Sequence, residues 1–336
     1  YSFDYYRTRL QTSDLSLGDG AISTDGTGWQ GKLVNDGMTR AEENHFEQNI
    51  QFLLMGDNQL AKKWRLGYTA GANIMYLKFE QLSASVQNML EKDNWIFNTG
   101  NKLTSALDDG HSRAMYSAFA SAQLAYDEWL SLDITARNDW SSTLPKKNNS
   151  FFYPSASLSW VFSDFMRSID HKLPSWITFA KLRVSAAQVG KDPAPYNLYN
   201  VRKYQFEMGN RKPINNTIKL NANLKPEIKT SYEVGVDMKF LDNRLGFDFT
   251  YYYNTTKNQA MLVDASSPWT QQWVNAGKIN NTGVEFMLYG TPVKTRDFQF
   301  DITANLAHNS STVKELADGV NRVYFAGDSN MPVKVG

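Results

Sequence analysis

Apolar and polar residues alternate on both sides of a polar pair in MKFLDNRLGFDFTYYYN, residues 238–254. Asp242-Asn243 is a pair that tolerates the backbone angles of a two-residue hairpin loop. This loop predicts the register Phe240 with Leu245 and, further out, Tyr232 with Tyr253. Because side chains alternate along a strand, even positions 232–240 and odd positions 245–253 then share an apolar face.

The opposite face of this hairpin is polar and charged. The same register sets Asp237 against Asp248, and like charges repel across an antiparallel pair. Water and compensating cations tolerate such a pair, whereas a dry core does not. The apolar face could therefore cover the core of a soluble β-sandwich or contact lipid, and the hairpin alone does not choose.

The same alternation recurs along the chain and predicts about eleven strands. Besides the opening segment and the hairpin, the predicted strands lie near 46–54, 64–76, 116–126, 130–136, 152–162, 180–186, 284–288 and 298–306. Most need roughly ten residues, whereas strands of globular domains average about five to six. Membrane-spanning strands need about nine to eleven.

The links between these strands alternate between short and long. Short links are predicted near 56–63, 127–128, 163–176, 241–244 and 291–297, and long links near 11–45, 77–115, 140–151, 190–229 and 255–282. This order is typical of an outer-membrane barrel, with short periplasmic turns and long extracellular loops. We therefore expect the hairpin 241–244 in the periplasm.

Aromatic residues mark both predicted strand ends. Tyr76, Tyr116, Tyr232, Tyr251 and Tyr253 adjoin long links, and Trp64, Tyr126, Trp129, Trp160 and Phe162 adjoin short links. Amphipathic rings favour the headgroup level on both sides of a membrane. The fold prediction is an all-β transmembrane antiparallel barrel.

Composition agrees with this prediction. The 336 residues are 42% hydrophobic and 21% charged, with a net charge of +1 and no cysteine. The near-zero charge argues against a nucleic-acid-binding protein, which would usually show a basic stripe. No apolar run is long enough for a spanning helix. The first residues, YSFDYYRTRL, are already strand-like, so we expect the chain to begin within a longer protein.

Candidate chemistry is sparse. GTGWQGKL (26–33) lacks the Ser or Thr that a phosphate-binding loop needs at Leu33. The four histidines have no metal-ligand spacing, and no carboxylates, nucleophile and base form a catalytic pattern. We expect neither an enzyme nor a cofactor.

Four stretches resemble SusC/RagA-type TonB-dependent outer-membrane transporters. They are ARNDWSSTLPKKNNSFFYPSASLSWVFSD (136–164), KLRVSAAQVGKDPAPYNL (181–198), LKPEIKTSYEVGVDMKFLDNRLGFDFTYYYNTTKNQ (224–259) and NAGKINNTGVEFMLYGTPVKTRDFQFD (275–301). The resemblance implies a barrel of about twenty-two strands. Residues 1–336 would then form part of one barrel domain, about half its strands, without the plug that fills such a barrel.

The family also implies partners. A SusD-type surface lipoprotein caps the barrel, and a TonB complex energises import by pulling an N-terminal box that this sequence lacks. Family members import oligosaccharides or oligopeptides across the outer membrane of Gram-negative bacteria. A passive porin-like channel and a soluble carbohydrate-binding protein are the alternatives; strand length and link alternation argue against the second.

Two sets of residues are candidate sites. The aromatic set in long links can contact substrate or the lipoprotein, or pack its own loops, and comprises Trp95, Tyr196, Tyr199, Trp269 and Trp273. The inward polar set can hold the plug or line the solute path, and comprises Asp133, Arg137, Lys181, Arg183, Glu233, Asp237, Lys239, Asp248 and Glu285. We expect the links 77–115, 190–229 and 255–282 to meet the lipoprotein.

Overall fold

The computed structural model describes the backbone of residues 2–14, 37–89, 100–171, 173–200, 203–207, 210–214, 216–316, 322–324 and 332–334. Strands dominate these residues. In this part of the chain, no helix is long and apolar enough to cross a membrane.

The chain alternates strands with turns throughout the described residues. In chain order the elements are β1 (Ser2–Asp14), β2 (Gly37–Ala61), β3 (Trp64–Met89), β4 (Gly100–Tyr126), β5 (Leu130–Ser141), β6 (Ser150–Val161), α1 (Phe162–Ser168), β7 (Ile177–Lys191), β8 (Lys203–Glu207), β9 (Asn210–Ile214), β10 (Ile218–Lys219), β11 (Glu227–Phe240), β12 (Leu245–Lys257), β13 (Ala260–Asp264), β14 (Gln271–Asn275), β15 (Lys278–Lys294), β16 (Gln299–Glu315), β17 (Arg322–Tyr324) and β18 (Pro332–Lys334).

Eleven strands form the principal sheet, in the order β1-β2-β3-β4-β5-β6-β7-β11-β12-β15-β16. The predicted number, about eleven, is confirmed. Each strand follows its predecessor in the chain, apart from the short strands inside the links. From β4 onward, every neighbouring pair is antiparallel.

The register of the β11–β12 hairpin is confirmed residue for residue. Phe240 pairs with Leu245, and the pairing continues outward without a shift. Asp242 and Asn243 have φ of 54° and 64°, and the Arg244 amide donates to the Leu241 carbonyl over 3.1 Å. These are the positive angles that a two-residue hairpin turn requires.

The predicted long link 77–115 is wrong. β3 continues to Met89 and β4 already begins at Gly100. Polar side chains link the β3 extension to β2: Gln81 donates to Glu43 over 3.0 Å, and the Thr39 and Ser85 hydroxyls lie 2.8 Å apart. Strand pairing needs backbone hydrogen bonds rather than an apolar face, so loss of alternation did not mark a strand end here.

Other predicted bounds also shift. β2 begins at Gly37 within the predicted link 11–45, and the short link 56–63 shrinks to the turn at 62–63. The links 190–229 and 255–282 contain short strands of their own. β10, β13 and β14 form a three-stranded sheet, and β8 pairs with β9.

The chain divides into two compact units, which are described separately. Unit 1 comprises 1–50 and 74–114, and unit 2 comprises 51–73 and 115–336. In unit 1, Phe79 lies between His45 and His111, with ring centroids 4.9 and 5.0 Å apart. These histidines therefore lie in strands and pack against a ring.

Unit 2 leaves a large apolar surface uncovered. Its outward row includes Phe152, Val234, Phe249 and Leu306, with exposed fractions of 58%, 44%, 38% and 68%. A water-soluble monomer rarely exposes contiguous apolar area of this kind. This face therefore needs an apolar environment.

Candidate functional site

A charged cluster lies on the opposite, polar face of β7, β11 and β12. Arg183 on β7 donates through Nη2 to both carboxylate oxygens of Asp248 on β12, over 2.8 and 2.9 Å. β11 lies between these two strands, and Gly235 is the residue paired with Arg183. A Cβ at Gly235 would come within 2.9 Å of the guanidinium, so the absent side chain leaves the path open.

The predicted acid pair is present beside this ion pair. Asp237 pairs with Asp248 across β11 and β12. Arg183 neutralises Asp248, whereas Oδ1 of Asp237 is buried without a hydrogen-bond partner among the described residues. On its other side, Asp237 pairs in register with Lys181. Arg183 and Asp248 thus compensate each other, and Lys181 is the cation in register with Asp237.

Other members of the inward polar set are more scattered. Lys239 lies over the Phe179 ring at 5.2 Å, and Asp133 accepts a hydrogen bond from Ser131 over 3.2 Å. Glu233 pairs in register with Ser185 and Tyr252, and Glu285 with Thr250. These residues share a face with the cluster, but their side chains do not converge on a single site. Their contact with a plug or solute stays a prediction.

Arg137 belongs to a second hydrogen-bonded cluster, of which the sequence predicted only Arg137 itself. Its Nε donates to buried Asp139 over 2.8 Å, and its Nη2 donates to Ser117 over 2.9 Å. Tyr153 donates its hydroxyl to the other Asp139 oxygen over 2.5 Å. Asp139 is two residues from Arg137 and therefore shares its face, a signal that could have identified it.

A buried cluster of hydrogen-bonded polar side chains holds the link between β5 and β6 in place. Asp192 accepts hydrogen bonds from the Ser141 hydroxyl and, over 2.8 Å, from the Thr143 hydroxyl. All three side chains are buried. Asn148 donates to the carbonyl of fully buried Leu224 over 2.9 Å. The link 142–149 is therefore fixed to Asp192 and Leu224 of the following long link.

The two longest links of unit 2 are joined into one body, here called the loop platform (192–200, 216–226 and 258–277). β10 from the first link pairs parallel with β14 from the second. The Thr270 amide donates to the Thr217 carbonyl over 2.8 Å. Asn275 donates to Lys225 over 2.8 Å and to Asn258 over 2.9 Å. The platform is thus held by backbone and amide hydrogen bonds.

The predicted loop aromatics occupy different environments. Tyr196 and Tyr199 project from the platform with exposed fractions of 63% and 64%. Trp269 is half-buried, and Trp273 lies within β14 opposite Leu262, so it is a strand residue rather than a loop residue. Trp95 lies outside the described residues. Among the predicted loop aromatics that the structure describes, Tyr196 and Tyr199 are the most exposed.

Aromatic rings also cluster at the short-link end of unit 2. Trp64 and Tyr126 lie 4.8 Å apart, and Tyr126 lies 5.3 Å from Trp129. Beside them, Lys63 donates to Asp127 over 2.6 Å, and this hydrogen bond raises the pKa of Lys63. The rings lie where an interfacial girdle was predicted.

Among the described residues, no three His, Asp or Glu side chains are grouped as metal ligands. The geometry instead combines an uncovered apolar face, a compensated polar face and a platform of long links. Long antiparallel strands with these two faces define the wall of a transmembrane β-barrel.

The family model described as TonB dependent receptor-like, beta-barrel matches residues 1–330, and the chain belongs to this family. The barrels of this family are outer-membrane proteins. The resemblance to SusC/RagA-type transporters is confirmed by the comparisons that follow.

Two curated receptors are similar to this chain. The TonB-dependent receptor SusC of Bacteroides thetaiotaomicron is 28% identical over 209 residues, which cover 58% of this chain and 20% of the receptor. The TonB-dependent receptor P3 of Formosa agariphila is 26% identical over 215 residues, 61% of this chain and 21% of that receptor. The matched region thus spans about a fifth of either relative.

Among solved structures, the RagAB peptide transporter superposes with a TM-score of 0.81 at 19% identity, covering 99% of this chain and 36% of that chain. The outer membrane transporter YddB of Escherichia coli gives a TM-score of 0.56 at 12% identity, covering 98% and 43%. At these identities the likeness shows the fold alone.

Proposed function

We propose that this chain forms part of the barrel wall of an active importer in the outer membrane of a Gram-negative bacterium. The importer takes up an oligosaccharide or oligopeptide, draws energy from a TonB complex and works with a SusD-type surface lipoprotein. Membership of the TonB-dependent receptor family supports the transport class. The similarity to SusC and the fold shared with RagAB support the lidded subtype.

The observation that carries the lipoprotein partnership is the joined loop platform. A partner that opens and closes needs an attachment that persists, and a surface made of two independent loops would not provide one. The β10–β14 pairing makes the two links one preorganised surface. Preorganisation reduces the ordering cost of binding. Tyr196 and Tyr199 then supply exposed aromatic anchors, a residue type enriched at interfaces.

The inward polar set fits the same function. The plug of such a transporter meets the barrel through a large polar interface, and Arg183, Asp237 and Asp248 present both signs of charge in one place. We propose that these residues contact the plug rather than the solute, because most of their charge is compensated within the wall.

The partnership is tested by co-purification of the full-length transporter with its lipoprotein from detergent, without crosslinking. The double variant Tyr196→Ser/Tyr199→Ser should weaken retention roughly tenfold or more, since exposed tyrosines are frequent hot spots. Tyr232→Ser is the matched control, because Tyr232 is 53% exposed but lies on β11 outside the platform. Full retention after deletion of 190–229 and 255–282 from a folded barrel would exclude the platform as the attachment.

Energised import is tested by uptake of labelled peptides and glycan fragments into intact cells. Uptake through the importer should stop when the proton gradient of the inner membrane is dissipated. Uptake that continues unchanged would instead favour the passive porin-like channel.

A further inference from the structure

A short helix roofs an apolar cavity at the short-link end of unit 2. Phe165 of α1 packs against Trp129 and Trp160, with ring centroids 4.9 and 5.7 Å apart. The cavity beneath has a volume of about 320 Å³. Its lining is entirely apolar or aromatic: Trp129, Leu130, Leu158, Trp160, Phe165, Leu182 and Val184. We call it the α1 pocket.

The α1 pocket opens in the outward face of the sheet. Leu158 pairs with Val184, and Val184 pairs in turn with Val234 of the hairpin's apolar face. Leu158 and Val184 are each 42% exposed. The pocket is therefore continuous with the surface that a barrel of this family presents to lipid.

The lining selects the chemistry of an occupant. The lining presents almost no polar surface, and a buried water needs two or more hydrogen-bond partners, so water is a poor occupant. A peptide segment would carry backbone groups that this lining cannot satisfy. A hydrocarbon chain has no such requirement and is the material that surrounds this face.

Two polar atoms beside the cavity lack a partner. The indole Nε1 atoms of Trp129 and Trp160 are both buried without a hydrogen-bond acceptor among the described residues. Indole nitrogen is only a donor, and an unpaired buried donor is unfavourable. The ester carbonyls at the head of a phospholipid acyl chain are acceptors that lie at the interface, where tryptophan rings concentrate.

We propose that the α1 pocket binds one acyl chain of an inner-leaflet glycerophospholipid, and that the Trp129 or Trp160 ring turns on binding so that its buried indole N–H donates to an ester carbonyl. The inner leaflet follows from the proposed function, in which the short links face the periplasm. Phe165 and the strand residues enclose the chain from two sides. The lipid thus becomes a specific ligand of the wall rather than part of a fluid annulus.

The test is native mass spectrometry of the full-length transporter in detergent, with dioleoyl phosphatidylethanolamine added as the probe. Leu182→Trp fills the pocket. Leu288→Trp is the control, because Leu288 is 41% exposed and pairs with Phe247 on the same outward face, outside the pocket. Wild type and Leu288→Trp should each retain one tightly held phospholipid, and Leu182→Trp should lose it.

A third variant, Trp160→Phe, keeps a ring and removes the indole donor, so it should raise the dissociation constant severalfold without abolishing binding. Equal retention in wild type and Leu182→Trp would overturn the proposal. If Leu182→Trp does not fold, as judged by heat-modifiable migration, Val184→Phe replaces it.

The same preparation separates this proposal from the proposed function. A protein that requires detergent but retains no phospholipid would overturn the pocket alone. A protein that stays monodisperse without detergent would overturn the membrane assignment itself.

Discussion

The two faces of the β11–β12 hairpin share one backbone register but have different requirements. On the outward face, rings meet rings: Phe247 lies 6.0 Å from both Phe240 and Phe286. On the inward face, Arg183 reaches Asp248 across Gly235. The outward contacts are non-directional and need only an apolar surrounding. The inward contacts need particular atoms at particular positions.

Glycine makes the inward arrangement possible. Tyr289 lies over Gly246, and Tyr252 lies over Gly283, on neighbouring strands. A Cβ at either glycine would fall 2.3 Å from a tyrosine ring carbon. The outward face should therefore tolerate changes of shape but not charge, whereas the inward face should tolerate charge but not added atoms at the glycines beneath these tyrosines.

The largest effect should come from a charge on the outward face. Phe249→Arg near mid-membrane should lower the free energy of unfolding by about 2–4 kcal/mol, because lipid cannot solvate the guanidinium. The control is Ser185→Arg on the inward face, where the new cation pairs in register with Glu233. It should cost less than about 1 kcal/mol. Urea titration in lipid vesicles measures both, and equal losses would contradict the assignment of faces.

Crowding of the inward face should have the next largest effect. Gly283→Ala places a Cβ 2.3 Å from Tyr252 and 2.7 Å from the His308 carbonyl, which is backbone and cannot move aside cheaply. The expected loss is about 1–3 kcal/mol. Gly290→Ala on the same strand is the control, because its nearest neighbours lie at 3.6 Å. If both variants unfold at the same urea concentration, the inward packing is looser than described.

Removing the inward cation should have the smallest effect of the three. Arg183→Ala leaves Asp237 and Asp248 opposed without compensation, and the expected loss is about 1–2 kcal/mol for this partly exposed pair. Adding Asp248→Asn to Arg183→Ala should recover most of it. A double-mutant cycle measures the coupling. A recovery of zero would show that the arginine acts by packing alone.

Sequence pattern predicted the hairpin because turn chemistry and two-residue alternation both depend on neighbours along the chain. Asp242-Asn243 and the residues beside it therefore determined the whole register of β11 and β12. The extensions of β3 to Met89 and of β4 from Gly100 were missed because polar residues interrupt the two-residue alternation there, so the pattern no longer marks a strand.

The candidate sites were predicted only in part for a similar reason. Alternation identified Arg183 and Asp248 as sharing a face, but their contact across an intervening strand depends on Gly235. The parallel pairing of β10 with β14 joins residues far apart in sequence. Both strands are too short to show the two-residue alternation of apolar and polar side chains that predicts a strand. Trp273 was assigned to a loop because β14 has only five residues.

The central claim is that the two faces of β12 meet different media, and single-cysteine scanning of residues 245–253 tests it most directly. The chain has no native cysteine, so each substitution carries one label. Spin labels at 245, 247, 249, 251 and 253 should relax faster with oxygen, which partitions into lipid. Labels at 246, 248, 250 and 252 should respond more to a water-soluble nickel chelate. A period of two in this phase is the predicted result; a reversed phase, or no alternation, would contradict the account.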